Sequence, residues 1–283
     1  MKIYILKHLN FLLFLFTVHV SVAQTVYLEG RVLDEVSHEP VPFPTFATET
    51  NEYLGIGNSN GYFYFPIDKN VTFLIVTCIG YDKKQVDLEN LKSESIIIYM
   101  EPSTTMLSEV TVKPAQLNIK TVGIEEVEPS YPVLSFGKMQ YSAFAINFNL
   151  KEYPVKILEA AVHIGKNEIG PYKLRCRVTE SKNGYPDRDI LTENVILDSD
   201  KEGWVKFDLS EFRVWTSEKK IFLIIEILQD FDEKPTPKSF YGSNTPGFTY
   251  VPFKKSILFA TSPNNWSTNK KFLAAYLKVG YIR

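Results

Sequence analysis

The chain has 283 residues, of which 45% are hydrophobic and 23% are charged, a composition typical of folded rather than disordered proteins. Its formal net charge is −2 and no block of basic residues stands out, so the sequence gives no electrostatic support for a nucleic-acid partner. Aromatic residues make up 14% of the chain, a high share that favours β structure.

The first residues have the three parts of a secretory signal peptide. Lys2 and Lys7 give a positive start, residues 9–20 are mostly apolar, and residues 21–23 (S-V-A) offer small side chains for cleavage. The apolar run is shorter than the ~20 residues of a membrane-spanning helix, which disfavours a transmembrane anchor. We therefore expect residues 1–23 to be removed. The exported protein would lack a transmembrane segment and be located in the periplasm or at the outer membrane or cell surface.

Residues 24–113 predict about seven short strands separated by turns, the pattern of a small antiparallel β-sandwich. Apolar residues alternate from Thr25 onwards, and the most strand-like stretches after that are 41–45, 62–65, 71–79, 95–100 and 109–113. Pro42 and Pro44 remove N–H donors from the stretch 41–45, which predicts an edge strand or an irregular segment there.

The stretch G-I-G-N-S-N-G-Y-F-Y-F-P, residues 55–66, offers either a calcium loop or a turn between two strands. Residues 58–60 supply oxygen atoms, but Glu52 is the only nearby carboxylate, and a cation without charged ligands binds weakly. A hairpin turn is favoured, with Gly61 adopting positive φ. Alternation along residues 62–65 then directs either both Phe or both Tyr side chains to the core.

Residues 114–135 contain three prolines and little alternation, so they predict a linker or an extended crossing segment at a domain boundary. Residues 136–283 predict a second sandwich of the jelly-roll type. Its strand candidates are 140–150, 155–164, 172–180, 193–197, 203–209, 220–228, 256–260 and 272–282.

Two of these candidates have informative patterns. Along 172–180 the apolar residues share one face, and Lys173, Arg175 and Arg177 share the other. This pattern predicts a strand with one buried and one solvent-exposed face. The stretch 221–228 is apolar on both faces apart from Glu226, which predicts a central strand.

The first domain carries several motifs in a recognisable order: L-E-G-R-V-L-D (28–34), P-V-P-F-P-T-F (40–46), the stretch 55–65 and L-I-V-T-C-I-G-Y (74–81). On these motifs, residues 24–113 resemble the carboxypeptidase regulatory-like domain, a transthyretin-like β-sandwich. The resemblance implies the accessory domain found beside carboxypeptidases, not the peptidase.

The same module often precedes the plug of TonB-dependent outer-membrane receptors, so the resemblance also implies a Gram-negative cell envelope. The second domain resembles the jelly-roll domains that follow this module in other exported bacterial proteins. That likeness depends on R-V-T-E-S-K-N-G-Y-P-D-R-D-I-L (177–191) and G-W-V-K-F-D-L-S (203–210).

Metal and cofactor chemistry has little support in the sequence. Cys78 and Cys176 are the only cysteines, and each lies in an apolar alternating segment, which predicts two buried free thiols, although an exported protein could also join them. The chain has no C-x-x-C and no H-x-x-x-H, so no zinc site is predicted. No cofactor is expected.

Catalysis has no recognisable constellation either. The chain lacks G-x-S-x-G, and His163 lies in an alternating strand segment where a structural role is favoured. Acidic residues cluster in predicted loops and in the linker, where charge is usually only solvated: Glu125, Glu126, Glu128, Asp198, Asp200, Asp230 and Asp232. We expect no enzyme and no catalytic residue. A hydrolase with paired carboxylates in the second domain is the less favoured alternative.

Two loops of the second domain have the composition of sugar-binding surfaces, in which aromatic rings lie beside Asn and other polar groups. They are residues 239–250 and 262–269, and they give Tyr241, Tyr250 and Trp266 as candidate ligand-binding residues. An alternative is that these aromatics only cap the ends of the sandwich.

Trp204 and Trp215 lie in or beside predicted strands and are assigned to the core. The sequence thus predicts a non-catalytic, exported binding protein of the cell envelope, with a glycan, another nutrient or an envelope protein as partner. A structural scaffold that pairs through a sheet edge is the alternative. The oligomeric state is left open.

Overall fold

A computed structural model describes residues 25–50, 53–88, 95–103, 117–134, 142–228, 245–251, 257–260, 266–269 and 272–282. These residues form 22 strands and no helix, which confirms the predicted all-β class. Consequently, this part of the chain has no helix of the length and apolar character that would cross a membrane. The predicted signal peptide and the predicted strand 109–113 lie outside the described residues.

The first domain is a sandwich of two small sheets with strand orders β4-β1-β7 and β3-β2-β5-β6. All of its strand pairs are antiparallel except β1 with β7, which run parallel because β5 and β6, in the other sheet, intervene in the chain. The seven strands are β1 (Thr25–Asp34), β2 (Thr45–Thr48), β3 (Tyr53–Ile56), β4 (Tyr62–Asp68), β5 (Phe73–Thr77), β6 (Lys84–Asp87) and β7 (Ile96–Met100).

Aromatic residues fill the core between these two sheets. Phe63 and Phe65 of β4 point inward, whereas the tyrosines between them point outward, so one of the two predicted alternation phases is confirmed. The Phe46 ring lies 4.5 Å from the Phe63 ring and 5.0 Å from the Phe65 ring, centroid to centroid. Burial of each such side chain contributes about 1.5–3 kcal/mol.

The glycine-rich stretch before β4 is not a hairpin, because β3 and β4 belong to different sheets. Gly55 of β3 lies directly against the Phe65 ring, where a Cβ would come within 2.8 Å of a ring carbon, so glycine leaves room for that ring between the sheets. The turn itself is closed by Asn58, whose Oδ1 accepts hydrogen bonds from the N–H groups of Asn60 and Tyr62. Gly61 has the predicted positive φ, 68°.

The proline-containing segment before β2 is irregular, as predicted. Only Pro40 forms an isolated bridge, with Leu33, and regular pairing starts at Thr45, after the last proline. Phe43 in this segment is buried and has a φ of +52°, a conformation that costs energy for a bulky residue.

The second domain is a larger sandwich, with one sheet ordered β13-β12-β17-β10-β19-β20 and the other β21-β18-β11-β22-β8. In addition, β14 pairs with β12, β15 and β16 pair with β11, and β9 pairs with β18. We call these the seven-stranded and the eight-stranded sheet. One large apolar core lies between them.

Each predicted strand candidate of this domain overlaps a strand, and the structure adds further short strands in segments that were predicted as loops or linker. The strands are β8 (Leu117–Gly123), β9 (Val133–Leu134), β10 (Ser142–Asn149), β11 (Val155–Lys166), β12 (Tyr172–Lys182), β13 (Tyr185–Asp189), β14 (Val195–Ser199), β15 (Gly203–Asp208), β16 (Trp215–Thr216), β17 (Lys220–Leu228), β18 (Gly247–Val251), β19 (Ile257–Ala260), β20 (Trp266–Asn269), β21 (Phe272–Leu273) and β22 (Ala275–Ile282). As predicted, β17 is central, between β12 and β10.

The structure differs from the prediction at the linker. Residues 117–123 form β8, which pairs along its whole length with β22 near the end of the chain, and residues 133–134 form β9. Much of the segment 114–135 therefore belongs to the second sandwich. Its prolines flank these strands instead of marking an unpaired connection.

Candidate functional site

The three predicted ligand-binding residues do not form one site in the described structure. Tyr241 lies outside the described residues. Tyr250 is in β18 of the eight-stranded sheet and packs against the core between the two sheets. Trp266 is in β20 of the other sheet and packs on the outer face of that sheet.

Trp266 is also less accessible than its loop-like sequence predicts. It is partly buried against a cluster on β10, β17 and β19: Ala143, Ala145, Phe222, Ile224, Leu258 and Ala260. Its Nε1 atom is buried and has no hydrogen-bond partner among the described residues. The indole N–H is therefore not presented to solvent.

The outer face of the seven-stranded sheet carries a buried ion cluster next to this apolar group. Glu226 on β17 is 1% exposed and accepts hydrogen bonds from Arg175 Nε and, at 2.9 Å, from Arg177 Nη1. Arg177 also forms a bidentate pair with Asp189, at 2.9 and 2.8 Å. The two guanidinium groups thus share two carboxylates, and the cluster is electrically balanced.

The first domain covers this ion cluster. Arg175, which is 2% exposed, donates from Nη1 to the carbonyl oxygen of Phe43 at 3.0 Å, and Lys173 Nζ lies 5.6 Å from the centroid of the Phe43 ring. Asn194 donates from Nδ2 to the carbonyl oxygen of Pro42 at 3.4 Å. The strained conformation of Phe43 therefore directs a carbonyl group towards the second domain.

A second contact of this interface comes from the I-G-Y motif. Gly80, with a φ of +82°, approaches Thr192 so closely that a Cβ would lie 2.3 Å from the Thr192 carbonyl oxygen. Cys78 lies beside it and donates to the Pro42 carbonyl oxygen, at 3.3 Å. We call this set of contacts the domain junction. The prediction of a solvent-exposed face on β12 is wrong at Arg175, because the first domain buries this side chain.

The outer face of the eight-stranded sheet, in contrast, carries a partly buried aromatic and polar group, in which Tyr276 is 4% exposed and the other members are half-buried. It consists of Trp204 on β15, His163 and Glu159 on β11, and Tyr276 and Lys278 on β22, which we call the indole site. Pairing brings them together, since His163 is opposite Trp204 and Glu159 is opposite Lys278.

Contacts within the indole site hold the half-buried Trp204 ring in place. Its centroid lies 4.9 Å from that of Tyr276 and 5.1 Å from that of His163, which approaches edge-on at 79°. The Tyr276 hydroxyl donates to Glu159 Oε1 at 2.8 Å, and the same oxygen lies 3.0 Å from Lys278 Nζ. The indole is thus supported by groups whose own positions are fixed by hydrogen bonds.

The electrostatics of the indole site follow from its partial burial. Burial lowers the pKa of His163 below its usual value of 6.5, and Nδ1 lies 2.9 Å from Thr249 Oγ1. Burial, and then the hydrogen bond to Glu159, raise the pKa of Tyr276 above its usual range. Both shifts favour the neutral form, so the imidazole and the phenol of the site are neutral at neutral pH.

The surroundings of the indole site contain small and charged side chains. Ala161, next to His163 on this face, is fully buried and adds no bulk. Lys206 and Asp208 follow Trp204 on the same face of β15 and are exposed. Such a surface can stack against an apolar ring face and hydrogen-bond polar groups around that ring.

Sequence reasoning missed this site because it assigned Trp204 to the core and gave His163 a structural role. A usable signal was present. In A-A-V-H-I-G and G-W-V-K-F-D, His163 and Trp204 both occupy the phase opposite to the buried Val162, Ile164, Val205 and Phe207.

Metal and redox sites are not indicated among the described residues. No group of three or more His, Cys, Asp or Glu side chains there could hold a metal ion. Cys78 and Cys176 are both free, as predicted, and burial raises the pKa of each thiol.

Comparison with known proteins assigns the first domain. Residues 28–112, less than a third of the chain, match the CarboxypepD_reg-like domain family. These residues form a carboxypeptidase regulatory-like domain. This confirms the sequence resemblance, and the domain junction accordingly joins a regulatory-like domain to a second sandwich. No curated protein matches the chain.

Two similar solved structures are both of the clostridial protein Cwp84. One is the cysteine protease after propeptide cleavage, with a TM-score of 0.40 and 10% identity over 80% of this chain and 50% of that chain. The other contains the cysteine protease and lectin-like domains of this surface layer associated protein of Clostridium difficile, with a TM-score of 0.40 and 8% identity over 85% and 58%. This chain spans about half the length of the structures it matches, and likeness at this level does not transfer function.

Proposed function

We propose that the protein is an exported, non-catalytic binding protein of the bacterial cell envelope, and that it binds a neutral glycan at the indole site. The observation that carries this proposal is the half-buried Trp204 ring, supported by Tyr276 and His163 on the outer face of the eight-stranded sheet. The signal-like start of the chain supports export.

The arrangement of aromatic and polar side chains on this surface suits a glycan. An indole can stack on the apolar face of a sugar ring, and Lys206 and Asp208 lie along the same strand to meet its hydroxyl groups. The charges nearest the indole are of opposite sign, with Glu159 paired to Lys278 and with Lys206 and Asp208 on the same strand as Trp204, which favours an uncharged ligand. The carboxylate of Glu159 is engaged by Tyr276 and Lys278, which favours binding over acid–base catalysis.

A glycan array probed with residues 24–283 tests the proposal, followed by calorimetry with the glycans that bind. The expected result is binding of at least one neutral glycan, weakened at least about tenfold by Trp204→Ala. Trp215→Ala is the matched control, since Trp215 pairs with Lys156 at the other end of β11 and should leave affinity unchanged.

Two outcomes would contradict the proposal. An array without any bound glycan removes the function itself. Binding that survives Trp204→Ala but is lost in Trp266→Ala or Tyr250→Ala would keep the function and move the site to the residues that the loop composition predicts.

A further inference from the structure

The regulatory-like domain exposes an unusual group of large side chains on the outer face of its β4-β1-β7 sheet. Tyr27 is 47% exposed, Ile97 is 57% exposed and Tyr99 is 38% exposed, and Tyr62 and Tyr64 lie beside them on β4. We call these five residues the tyrosine face. Contiguous exposed apolar surface of this kind is typical of interaction sites.

The side chains of the tyrosine face are already ordered. The Tyr27 and Tyr64 rings stack with centroids 5.1 Å apart and planes within 11°, and the Tyr62 hydroxyl donates to Glu29 Oε1 at 2.9 Å. The opposite side of β4 is anchored in the core by Phe63 and Phe65. Little side-chain freedom remains to be lost on association, so such a face is well suited to binding a flat partner.

Two opposite charges lie at the centre of this face. Glu29 and Arg31 alternate with the buried-side residues of β1, so both point outward, and Gly30 lies between them. β1 is the central strand of its sheet, with β4 on one side and β7 on the other. A partner surface must therefore present a positive and a negative group in the reverse order.

The same face of a second molecule satisfies that condition. With a two-fold axis over Gly30, perpendicular to β1 and parallel to the sheet, the two β1 strands run antiparallel across the interface. Glu29 of each copy then faces Arg31 of the other. An axis parallel to β1 would instead bring Glu29 against Glu29, which like-charge repulsion disfavours.

We propose that the tyrosine face binds a second copy of this chain in an isologous dimer with Glu29 opposite Arg31. The interface is closed by its two-fold symmetry, so association stops at two copies. It lies on the regulatory-like domain and uses no residue of the indole site. This proposal is therefore independent of the proposed function.

Sedimentation velocity of residues 24–283 over a range of concentrations tests the dimer. The expected result is a reversible monomer–dimer equilibrium. Arg31→Glu gives each copy two acidic groups on β1 and should raise the dimer dissociation constant at least about tenfold. The double variant Glu29→Arg with Arg31→Glu exchanges the charges in both copies and should restore dimerisation to within a few-fold of wild type.

An apolar variant tests the rest of the face. Ile97→Asp should abolish the dimer, whereas Ile119→Asp, at a 61% exposed position of the second domain, should leave it intact. A wild-type protein that stays monomeric up to its solubility limit overturns the proposal. So does a dimer that Ile97→Asp does not affect, or one that Arg31→Glu weakens and the double exchange does not restore, provided that each variant keeps the circular dichroism spectrum of the wild type.

Discussion

The two outer faces of the second domain are built from the same pattern but end in different environments. On the seven-stranded sheet, Arg175 and Glu226 point away from the core and are buried under the regulatory-like domain. On the eight-stranded sheet, Trp204 and Lys206 also point away from the core and meet solvent. One face therefore joins the domains, while the other is the face at which we propose that a ligand binds. The alternation of a strand determines which side chains point away from the core. Whether another domain covers those side chains is determined by the tertiary structure.

The largest effect is expected from breaking the buried ion cluster. Glu226→Gln keeps the size of the side chain but leaves two guanidinium groups with the single carboxylate of Asp189. Removing one partner of a buried pair costs about 3–5 kcal/mol, because the other charge stays buried and uncompensated. Urea denaturation should show a loss of this size in the free energy of unfolding.

A surface ion pair supplies the control for that measurement. Glu180 pairs with Arg188, which is 54% exposed, so Glu180→Gln should cost about 0–1 kcal/mol. Equal losses in the two variants would mean that the Glu226 carboxylate is solvated, and that the contrast between the two outer faces is wrong.

A smaller effect is expected from crowding the domain junction. Gly80→Ala should cost about 1–2 kcal/mol for its positive φ, and a further 1–3 kcal/mol for the overlap with the Thr192 carbonyl oxygen. Gly184→Ala is a close match, because Gly184 has a φ of +84° but no neighbouring atom would lie within 4 Å of a Cβ added there. The difference in free energy of unfolding between the two variants isolates the contact between the domains.

If Gly80→Ala and Gly184→Ala reduce the free energy of unfolding by the same amount, the contact between Gly80 and Thr192 adjusts to the extra methyl group without an energetic penalty. The two domains would then be joined loosely at this point. The buried state of Arg175 would in that case depend on its contacts with Phe43 and Thr45 alone.

The long strands of this protein were predictable because each carries a local signal. The nine residues of β17 agree with the predicted strand, and β11 and β12 extend the predicted ones by only two residues. The pairing of β8 with β22 was not predictable, because it joins segments more than 150 residues apart and β8 alternates weakly. Pairing between distant segments produces no recognisable pattern in the sequence of either segment alone.

The candidate site was harder to predict than the fold for the same reason. K-L-R-C-R-V around Arg175 and G-W-V-K-F-D around Trp204 are both alternating strands with polar residues on one face. Only the position of the regulatory-like domain distinguishes them. The loop residues Tyr250 and Trp266 suggested a ligand by composition, yet Tyr250 packs on the core and Trp266 on an outer apolar cluster.

The smallest effect concerns the charge state of the open face. Burial lowers the folded-state pKa of His163 below 6.5, so the fold disfavours the protonated imidazole. The stability that follows is fully present above the unfolded pKa and is lost as pH falls through the folded pKa. An NMR titration should give a midpoint for His163 below 6.5.

His163→Gln assigns that resonance, since His38 is the only other histidine after residue 23, and it also tests the linkage. The melting temperature of the wild type should fall more steeply than that of the variant between about pH 7 and pH 5. A midpoint at or above 6.5 would mean that burial does not disfavour the protonated imidazole. Trp204 would then lack the fixed edge contact that distinguishes this face from an ordinary solvated sheet surface.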